Sequence, residues 1–241
     1  MRKPFAMKQF SVDQSEVALP VTSDACVFGA LAAFQNATNI LDIGSGSGVL
    51  SLMMAQKFPS AQIKGIDIHL PSVEQARKNG INSPFADRVS FSHDNILEFD
   101  PSTTIDGIIC NPPFFENHLP STDETRRLAR HTQSLTLATL TARCARLLQP
   151  HGELLLLLPA SSQNQILATL QQNLFSPQTI TSIQATPSKP PHLIAVYAIK
   201  NPPNYCIAEN PPHTIQYTHY RADGQLSSQA TELLKEFYLA L

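Results

Sequence analysis

The residues best suited to chemistry lie in the hexapeptide Cys110-Asn111-Pro112-Pro113-Phe114-Phe115, which follows the apolar run 105–109. Because proline lacks an N–H and keeps the residue before it out of the helical region, this motif ends a strand and holds Asn111 extended. The Asn111 amide oxygen and the Pro112 carbonyl oxygen are then two hydrogen-bond acceptors. A planar amino group, such as the exocyclic nitrogen of adenine, supplies two matching donors, and Phe114 can stack on its ring. A strand-ending turn would explain the motif if it stood alone.

A glycine loop lies earlier in the chain. Residues 39–48, with the sequence NILDIGSGSG, predict a buried strand, a loop and the start of a helix. Gly44, Gly46 and Gly48 leave room for a ligand to approach the backbone. The helix N-terminus that follows favours a carboxylate or another polar ligand. The Gly-x-Gly-x-Gly spacing differs from the Gly-x-Gly-x-x-Gly of dinucleotide-binding sites.

Acidic residues lie at the ends of two further predicted strands. Strand 62–68 contains Asp67, about 20 residues after the glycine loop, where an acid can bind ribose hydroxyls. Strand 88–92 precedes Asp94 and Asn95. A single acid at a strand end is often only a turn residue. These acids, the glycine loop and Asn111 instead form a row along one sheet edge, where open α/β sheets bind ligands.

The remaining elements must position this row. Apolar runs and turn signals predict helices and strands in alternation. The predicted helices span 24–36, 71–80, about 123–148 and 161–173, and further strands span 153–158, 178–185 and 192–200. The last two strands are antiparallel, because connection 186–191 is too short for a crossover. The fold class is therefore α/β, a doubly wound, mostly parallel seven-stranded sheet with an antiparallel last strand.

These motifs resemble those of the Rossmann-like (class I) S-adenosylmethionine-dependent methyltransferases, and a glycine loop before Asn-Pro-Pro-Phe resembles their amino-methylating branch. The resemblance implies S-adenosylmethionine as the cofactor. Its methionine part would lie near the three loop glycines, its ribose on Asp67 and its adenine on Asp94, with Asp42 beneath the loop. The implied cofactor-binding residues are Asp42, Gly44, Gly46, Gly48, Asp67, Asp94, Asn95, Thr22 and Asp24.

The resemblance extends over nearly the whole chain, because it includes segments 10–14, 21–24, 129–132 and 233–239. Together they resemble the bacterial tRNA (adenine-N6)-methyltransferases that act on valine tRNA. The resemblance implies that the target is the adenine just 3′ of the anticodon (position 37), with the anticodon arm of tRNA as partner. The implied catalytic residues are Asn111, Pro112 and Phe114, and the implied substrate-binding residues are Pro113, Phe115, Arg130, His131 and Lys8.

Length and composition limit the number of domains. The 241 residues, 42% of them hydrophobic, suffice for one domain. We divide it into an N-terminal flap and helix (1–38), the methyltransferase core (39–200), and a proline-rich linker followed by a C-terminal helix that packs on the core (201–241). Ser227 or Ser228 is the expected N-cap of that helix.

The cysteines and the apolar runs predict where the protein works. Four widely spaced cysteines form no metal pattern and predict reduced thiols. The basic start 1–3 precedes no apolar signal region, and no apolar run is long enough to cross a bilayer. We expect a cytoplasmic monomer that uses no metal and no membrane.

Charge leaves alternatives open. A net charge of -2 and a pI near 6.4 lack the basic footprint of most phosphate binders. Basic residues cluster only locally, at 2–8 and 126–131, and such a cluster can be merely a solvated helix face. A protein glutamine N5-methyltransferase, an rRNA guanine-N2 methyltransferase and a non-catalytic binding module are the alternatives. Segments 10–14 and 129–132 and the C-terminal tail favour the tRNA enzyme.

Overall fold

A large twisted sheet organises the protein, whose computed structural model describes residues 3–112, 135–203 and 211–239. Two short antiparallel strands, β1 (Phe5–Ala6) and β2 (Ser11–Val12), precede this sheet. The sheet consists of β3 (Asn39–Ile43), β4 (Gln62–Asp67), β5 (Val89–His93), β6 (Ile105–Cys110), β7 (Leu148–Pro159), β8 (Phe175–Gln184), β9 (Leu193–Lys200) and β10 (His213–Thr218). Their order is β10-β8-β9-β7-β6-β3-β4-β5, and only β9 runs antiparallel to its neighbours.

Helices connect most of these strands. In the described ranges they are α1 (Ser23–Leu31), α2 (Val49–Lys57), α3 (Leu70–Ile81), α4 (Leu137–Leu147), α5 (Gln163–Gln172) and α6 (Ser228–Leu234), with a 3-10 turn at Ala160–Ser162. No helix in these ranges is both long enough and apolar enough to cross a bilayer. Residues 94–104, between β5 and β6, form turns without a helix and border a groove over β4 and β5.

The sheet separates two apolar cores. Successive side chains of a strand point to opposite faces, so the leucines of β7 contribute to both cores. Leu155 and Leu157 face the core that contains α1, α2 and α6. Leu154, Leu156 and Leu158 face the core that contains α4 and α5. A continuous apolar run is thus what a strand covered on both faces requires.

The predicted α/β class and mostly parallel, doubly wound sheet are confirmed, including the antiparallel pairing of β8 with β9. The predicted number of strands is wrong, because β10 adds an eighth at the edge beside β8. Residues 213–216 are exposed and only Tyr217 is buried in β10. An edge strand of this kind lacks the apolar alternation that marks a strand in sequence.

The prediction of one continuous helix over 123–148 is also wrong, because a helix begins within this range, at Leu137. Thr136 has an extended backbone (φ -84°, ψ 165°), and its side chain accepts a hydrogen bond from Thr139 N. The Thr139 side chain in turn accepts from Thr136 N, which completes a capping box that starts α4 at Leu137. Residues 113–134 lie outside the described part of the chain.

Candidate active site

Four adjacent strands bring the predicted chemistry to one edge of the sheet. In the order β6-β3-β4-β5, their carboxyl ends carry Asn111, Gly44, Asp67 and Asp94. The register aligns these ends, since Ile43 pairs with both Cys110 and Ile66 in parallel strands. The sequence row is therefore a spatial row as well.

The glycine loop has a left-handed backbone at alternate positions. Gly44, Gly46 and Gly48 have φ values of 73°, 53° and 83°, which side chains disfavour. Two consecutive amides, Gly44 N and Ser45 N, donate to Ile66 O at 2.9 and 3.0 Å and anchor the loop on β4. A Cβ built at Gly44 or at Gly46 meets nothing within 4 Å. The two backbones therefore face open space that a ligand can enter.

Gly48 meets a different constraint. A Cβ there would lie 2.7 Å from the Phe91 ring, which also packs against Gly65 and Gly80. Glycine at 48 is thus required both by its φ and by internal packing.

The Asp67 carboxylate is held in place by the loop. Its Oδ2 accepts from Gly46 N at 2.9 Å, and its Oδ1 accepts from His69 N at 2.8 Å. Each oxygen has a further lone pair, because a carboxylate oxygen can accept two hydrogen bonds. A fixed pair of acceptors beside an open loop fits the two hydroxyls of a ribose.

Asp42 lies beneath the loop and is fully buried. Its Oδ2 accepts from Ser51 Oγ of α2 at 2.6 Å. Burial raises the pKa of Asp42 to about 7; the nearby charge of Asp67 adds to this rise, and the Ser51 hydrogen bond opposes it. Asp42 Oδ1 and Ser45 Oγ are buried without a hydrogen-bond partner among the described residues. Buried polar atoms without a partner are uncommon in folded proteins, and both of these lie at or beneath the glycine loop.

Asp94 and Asn95 lie at the far end of the row. Asp94 N donates to Asp67 O at 3.1 Å, and Asn95 Oδ1 accepts from Leu97 N at 3.0 Å. These contacts fix the turn and leave the half-buried Asp94 carboxylate without a hydrogen bond in the described chain. Asp94 borders a groove of about 1120 Å³ that continues over β4 and β5 to Asn39 and Gln62.

The acceptor motif follows β6 as predicted. Cys110 is buried, Asn111 half-buried and Pro112 buried. Strand pairing ends at Cys110, so Asn111 and Pro112 leave the ladder beside the glycine loop. No hydrogen bond within the described ranges uses the Asn111 amide. Five predicted residues lie outside those ranges: Phe114, Pro113, Phe115, Arg130 and His131.

Three predicted residues make contacts with the chain itself. Thr22 Oγ1 accepts from Ala25 N at 3.2 Å and caps α1. Asp24 Oδ2 lies 3.4 Å from His192 Nε2. Lys8 donates through its Nζ to Lys235 O, next to α6. Their roles toward cofactor and RNA stay predictions.

Sequence reasoning missed a set of polar residues behind the loop. Ser51 contacts Asp42, and Ser72, Gln75 and Asn79 are buried along α3. The available signal was their spacing of three and four residues, interleaved with the buried Val73 and Ala76. A polar stripe at helical spacing indicates one contacting face.

Comparison with known proteins identifies the family. Residues 29–182 match the methyltransferase small domain. A tRNA1(Val) (adenine(37)-N6)-methyltransferase of Vibrio campbellii is 35% identical over 239 residues, 99% of this chain and 97% of the relative. One of Phocaeicola vulgatus is 35% identical over 235 residues, 98% and 97% of the two chains. The chain belongs to the tRNA1(Val) (adenine(37)-N6)-methyltransferase family.

Solved structures of methyltransferases share the fold of this family member. A predicted O-methyltransferase from Agrobacterium tumefaciens superposes with a TM-score of 0.64 at 16% identity, over 88% of this chain and 95% of that one. A ribosomal protein methylase from Lactobacillus delbrueckii gives a TM-score of 0.56 at 17% identity, over 79% and 84%. Identities this low support the fold alone.

Proposed function

We propose that this protein transfers the methyl group of S-adenosylmethionine to the exocyclic N6 of adenine 37, just 3′ of the anticodon, in valine tRNA. The observation that carries the proposal is the position of Asn111 and Pro112, directly beside the glycine loop at the carboxyl edge. The Vibrio and Phocaeicola relatives, aligned over almost their full length, support the choice of adenine and of tRNA.

The chain's own groups account for cofactor binding. S-adenosylmethionine supplies a methyl group bound to a positively charged sulfur. When the methyl group is transferred, the sulfur keeps the electron pair of the broken C–S bond. The Asp67 carboxylate would accept from the ribose hydroxyls, and Asp94 from the adenine amino group. Gly44 and Gly46 would give the methionine part access to the backbone, above the unpartnered oxygens of Asp42 and Ser45.

Asn111 and Pro112 would orient the target nitrogen. The lone pair of an adenine amino group is delocalised into the ring, which makes N6 a poor nucleophile. When Asn111 Oδ1 and Pro112 O accept its two hydrogens, the nitrogen is held pyramidal with its lone pair directed at the methyl group. The extra proton on N6 stays hydrogen-bonded to one of these oxygens until water removes it. Orientation of this kind supplies roughly 7 to 11 kcal/mol.

Phe114, with Phe115, would hold the target base by stacking, a contribution of about 1 to 3 kcal/mol. The target must first leave its neighbours, which costs less in an anticodon loop than in a duplex. Arg130, His131 and Lys8 are the residues we assign to RNA contact.

A methyl-transfer assay tests the substrate. The protein is incubated with labelled S-adenosylmethionine and, separately, valine tRNA, the same tRNA with guanine at position 37, ribosomal subunits and release factors. We expect label only in the unaltered tRNA, as N6-methyladenosine. Label in release factor or in rRNA guanine would overturn the proposal in favour of the protein glutamine or guanine-N2 alternative.

A further inference from the structure

A stripe of buried polar residues on α3 holds the irregular segment 13–21, here called the strap. Ser72, Gln75 and Asn79 are 1%, 3% and 4% exposed and share one helix face. A buried polar group is costly unless it is hydrogen-bonded, so the stripe needs partners. The strap supplies one at each position: Ala18 N donates to Ser72 Oγ, Ser15 Oγ to Gln75 Oε1, and Asp13 N to Asn79 Oδ1.

The Asn79 amide is the junction of this arrangement. Its Oδ1 accepts from Asp13 N at 3.0 Å and from Gln75 Nε2 at 3.3 Å. Its Nδ2 donates to Asp13 O and to Ser47 O, both at 2.9 Å. Ser47 lies between Gly46 and Gly48, so one buried side chain bonds the strap and the glycine loop at once.

The strap is also braced within itself. Gln14 Oε1 accepts from Val21 N at 2.9 Å, and Asp13 Oδ1 accepts from Ser15 N at 3.0 Å. Val17 is buried, which adds an apolar anchor. The strap ends at Thr22, the N-cap of α1. Among the described residues, the only polar link from this braced segment to the glycine loop runs through Asn79.

We propose that Asn79 is a positioning residue that couples the strap to the glycine loop, so that cofactor binding and docking of the strap on α3 stabilise each other. The inference rests on the proposed function, since it assigns the glycine loop to the cofactor. Without the amide, Ser47 O loses its donor, and the Ser47 end of the loop loses its bond to α3 and the strap, while Gly44 N and Ser45 N still anchor the start of the loop on β4. Because coupling between two sites is reciprocal, the cofactor then also ceases to hold the strap.

The test uses Asn79→Ala in the full chain with S-adenosylhomocysteine as the probe. Calorimetry should give a Kd raised roughly 10-fold to 100-fold, which lies within the usual range of a coupling free energy between two sites. The kcat for tRNA at saturating S-adenosylmethionine should stay within about threefold, because Asn79 does not meet the reacting atoms. In hydrogen exchange, the probe should slow the amides of residues 13–21 in the wild type and not in the variant.

Asn201→Ala is the matched control. Asn201 is 6% exposed, and its amide donates to Ser176 Oγ in β8, one strand in from the end of the sheet opposite β5. It should lower the Tm without changing the Kd or the exchange of the strap. Gln75→Ala is the second variant in case Asn79→Ala does not fold, and it should raise the Kd about threefold to tenfold.

The outcomes separate the inference from the function on which it rests. A wild type that fails to bind S-adenosylhomocysteine contradicts the proposed function. A wild type that binds, with an unchanged Kd and unchanged strap protection in Asn79→Ala, overturns the coupling alone. An equal rise in Kd in Asn201→Ala also overturns it, because the effect would then be general destabilisation.

Discussion

At the amino edge of the sheet, where the parallel strands begin, the carboxylates of Glu153 and Asp106 accept hydrogen bonds from the chain itself. Glu153 accepts from Gln35 N at 2.8 Å, from Asn36 N at 3.1 Å and from the Tyr197 hydroxyl. Asp106 accepts from Thr38 N at 2.9 Å, from Asn39 N at 2.7 Å and from Thr38 Oγ1 at 2.8 Å. The two acids together clamp the connection 35–39 between α1 and β3.

At the carboxyl edge, similar side chains keep acceptors unused by the chain. Asp67 accepts one N–H on each oxygen, Asp42 Oδ1 accepts none in the described chain, and the Asp94 carboxylate is likewise unengaged there. Buried or half-buried acceptors without donors are unfavourable unless a ligand supplies the donors. The two edges therefore differ in how the lone pairs of their acids are used more than in how deeply the acids are buried, and the carboxyl edge is the one we assign to ligand binding.

The largest expected effect comes from Asn111→Ala. Loss of one fixed acceptor at the reacting nitrogen should lower kcat by about 100-fold to 1000-fold, with the Kd for S-adenosylhomocysteine almost unchanged. Asn39→Ala is the control at the amino edge, since the only hydrogen bond of Asn39 Nδ2 to a described residue is the one to Thr38 Oγ1 at 3.3 Å. Single-turnover methylation of tRNA measures both variants. A wild-type kcat in Asn111→Ala would contradict the proposal that Asn111 Oδ1 accepts a hydrogen bond from the target nitrogen.

Asp67→Ala and Asp106→Ala form a matched pair across the two edges. The first should weaken S-adenosylhomocysteine binding roughly 10-fold to 100-fold, because it removes charge-assisted hydrogen bonds. The second should leave the Kd unchanged and lower the Tm, because Thr38 N and Asn39 N lose their acceptor. Calorimetry and thermal unfolding measure the two effects. Unchanged affinity in Asp67→Ala would exclude the ribose role.

Gly44→Ala and Gly224→Ala separate backbone strain from ligand access. Both glycines have positive φ, 73° and 81°, and a Cβ at either position meets nothing within 4 Å. Each variant should therefore lose about 1 to 2 kcal/mol of stability from strain. Only Gly44→Ala should also weaken cofactor binding, by roughly tenfold, since its methyl group enters the space left for the ligand. Equal affinity in the two variants would contradict this assignment.

The remaining prediction concerns stability without a ligand, which should depend on pH through Asp42. Its pKa is about 7 when folded and near its ordinary value of 3.8 when unfolded. Between these values the folded state binds more protons than the unfolded state, so stability falls as pH rises. Above both values the dependence disappears. Chemical denaturation of the cofactor-free protein over this range should show the slope, and Asp42→Asn should flatten it; an equal slope in both would assign it to other groups.

The sequence alone was enough to predict those features that depend on residues close together in the chain. The glycine loop, Asp67 and Asn111 each follow a short apolar strand, so their row could be predicted from local pattern and strand order. Contacts between distant residues could not be predicted. Asp13 meets Asn79 66 positions away, and Gln35 meets Glu153 118 positions away. Strand β10 was missed for the same reason, because its pairing with β8 stabilises a segment that carries almost no apolar signal.

The packing around Phe91 constrains how this site can evolve. A Cβ at Gly48, Gly65 or Gly80 would lie 2.7, 2.5 or 3.0 Å from that ring, so one aromatic side chain fixes three glycines on different elements. Overpacking of this kind is destabilising and its effects are not additive among neighbours. Phe91 is the nearest obstacle to a Cβ at Gly65 and at Gly80, whereas Gly48 stays constrained by its φ of 83° even beside a smaller residue 91. Positions 65, 80 and 91 should therefore vary together among descendants of this chain, while Gly48 should stay glycine.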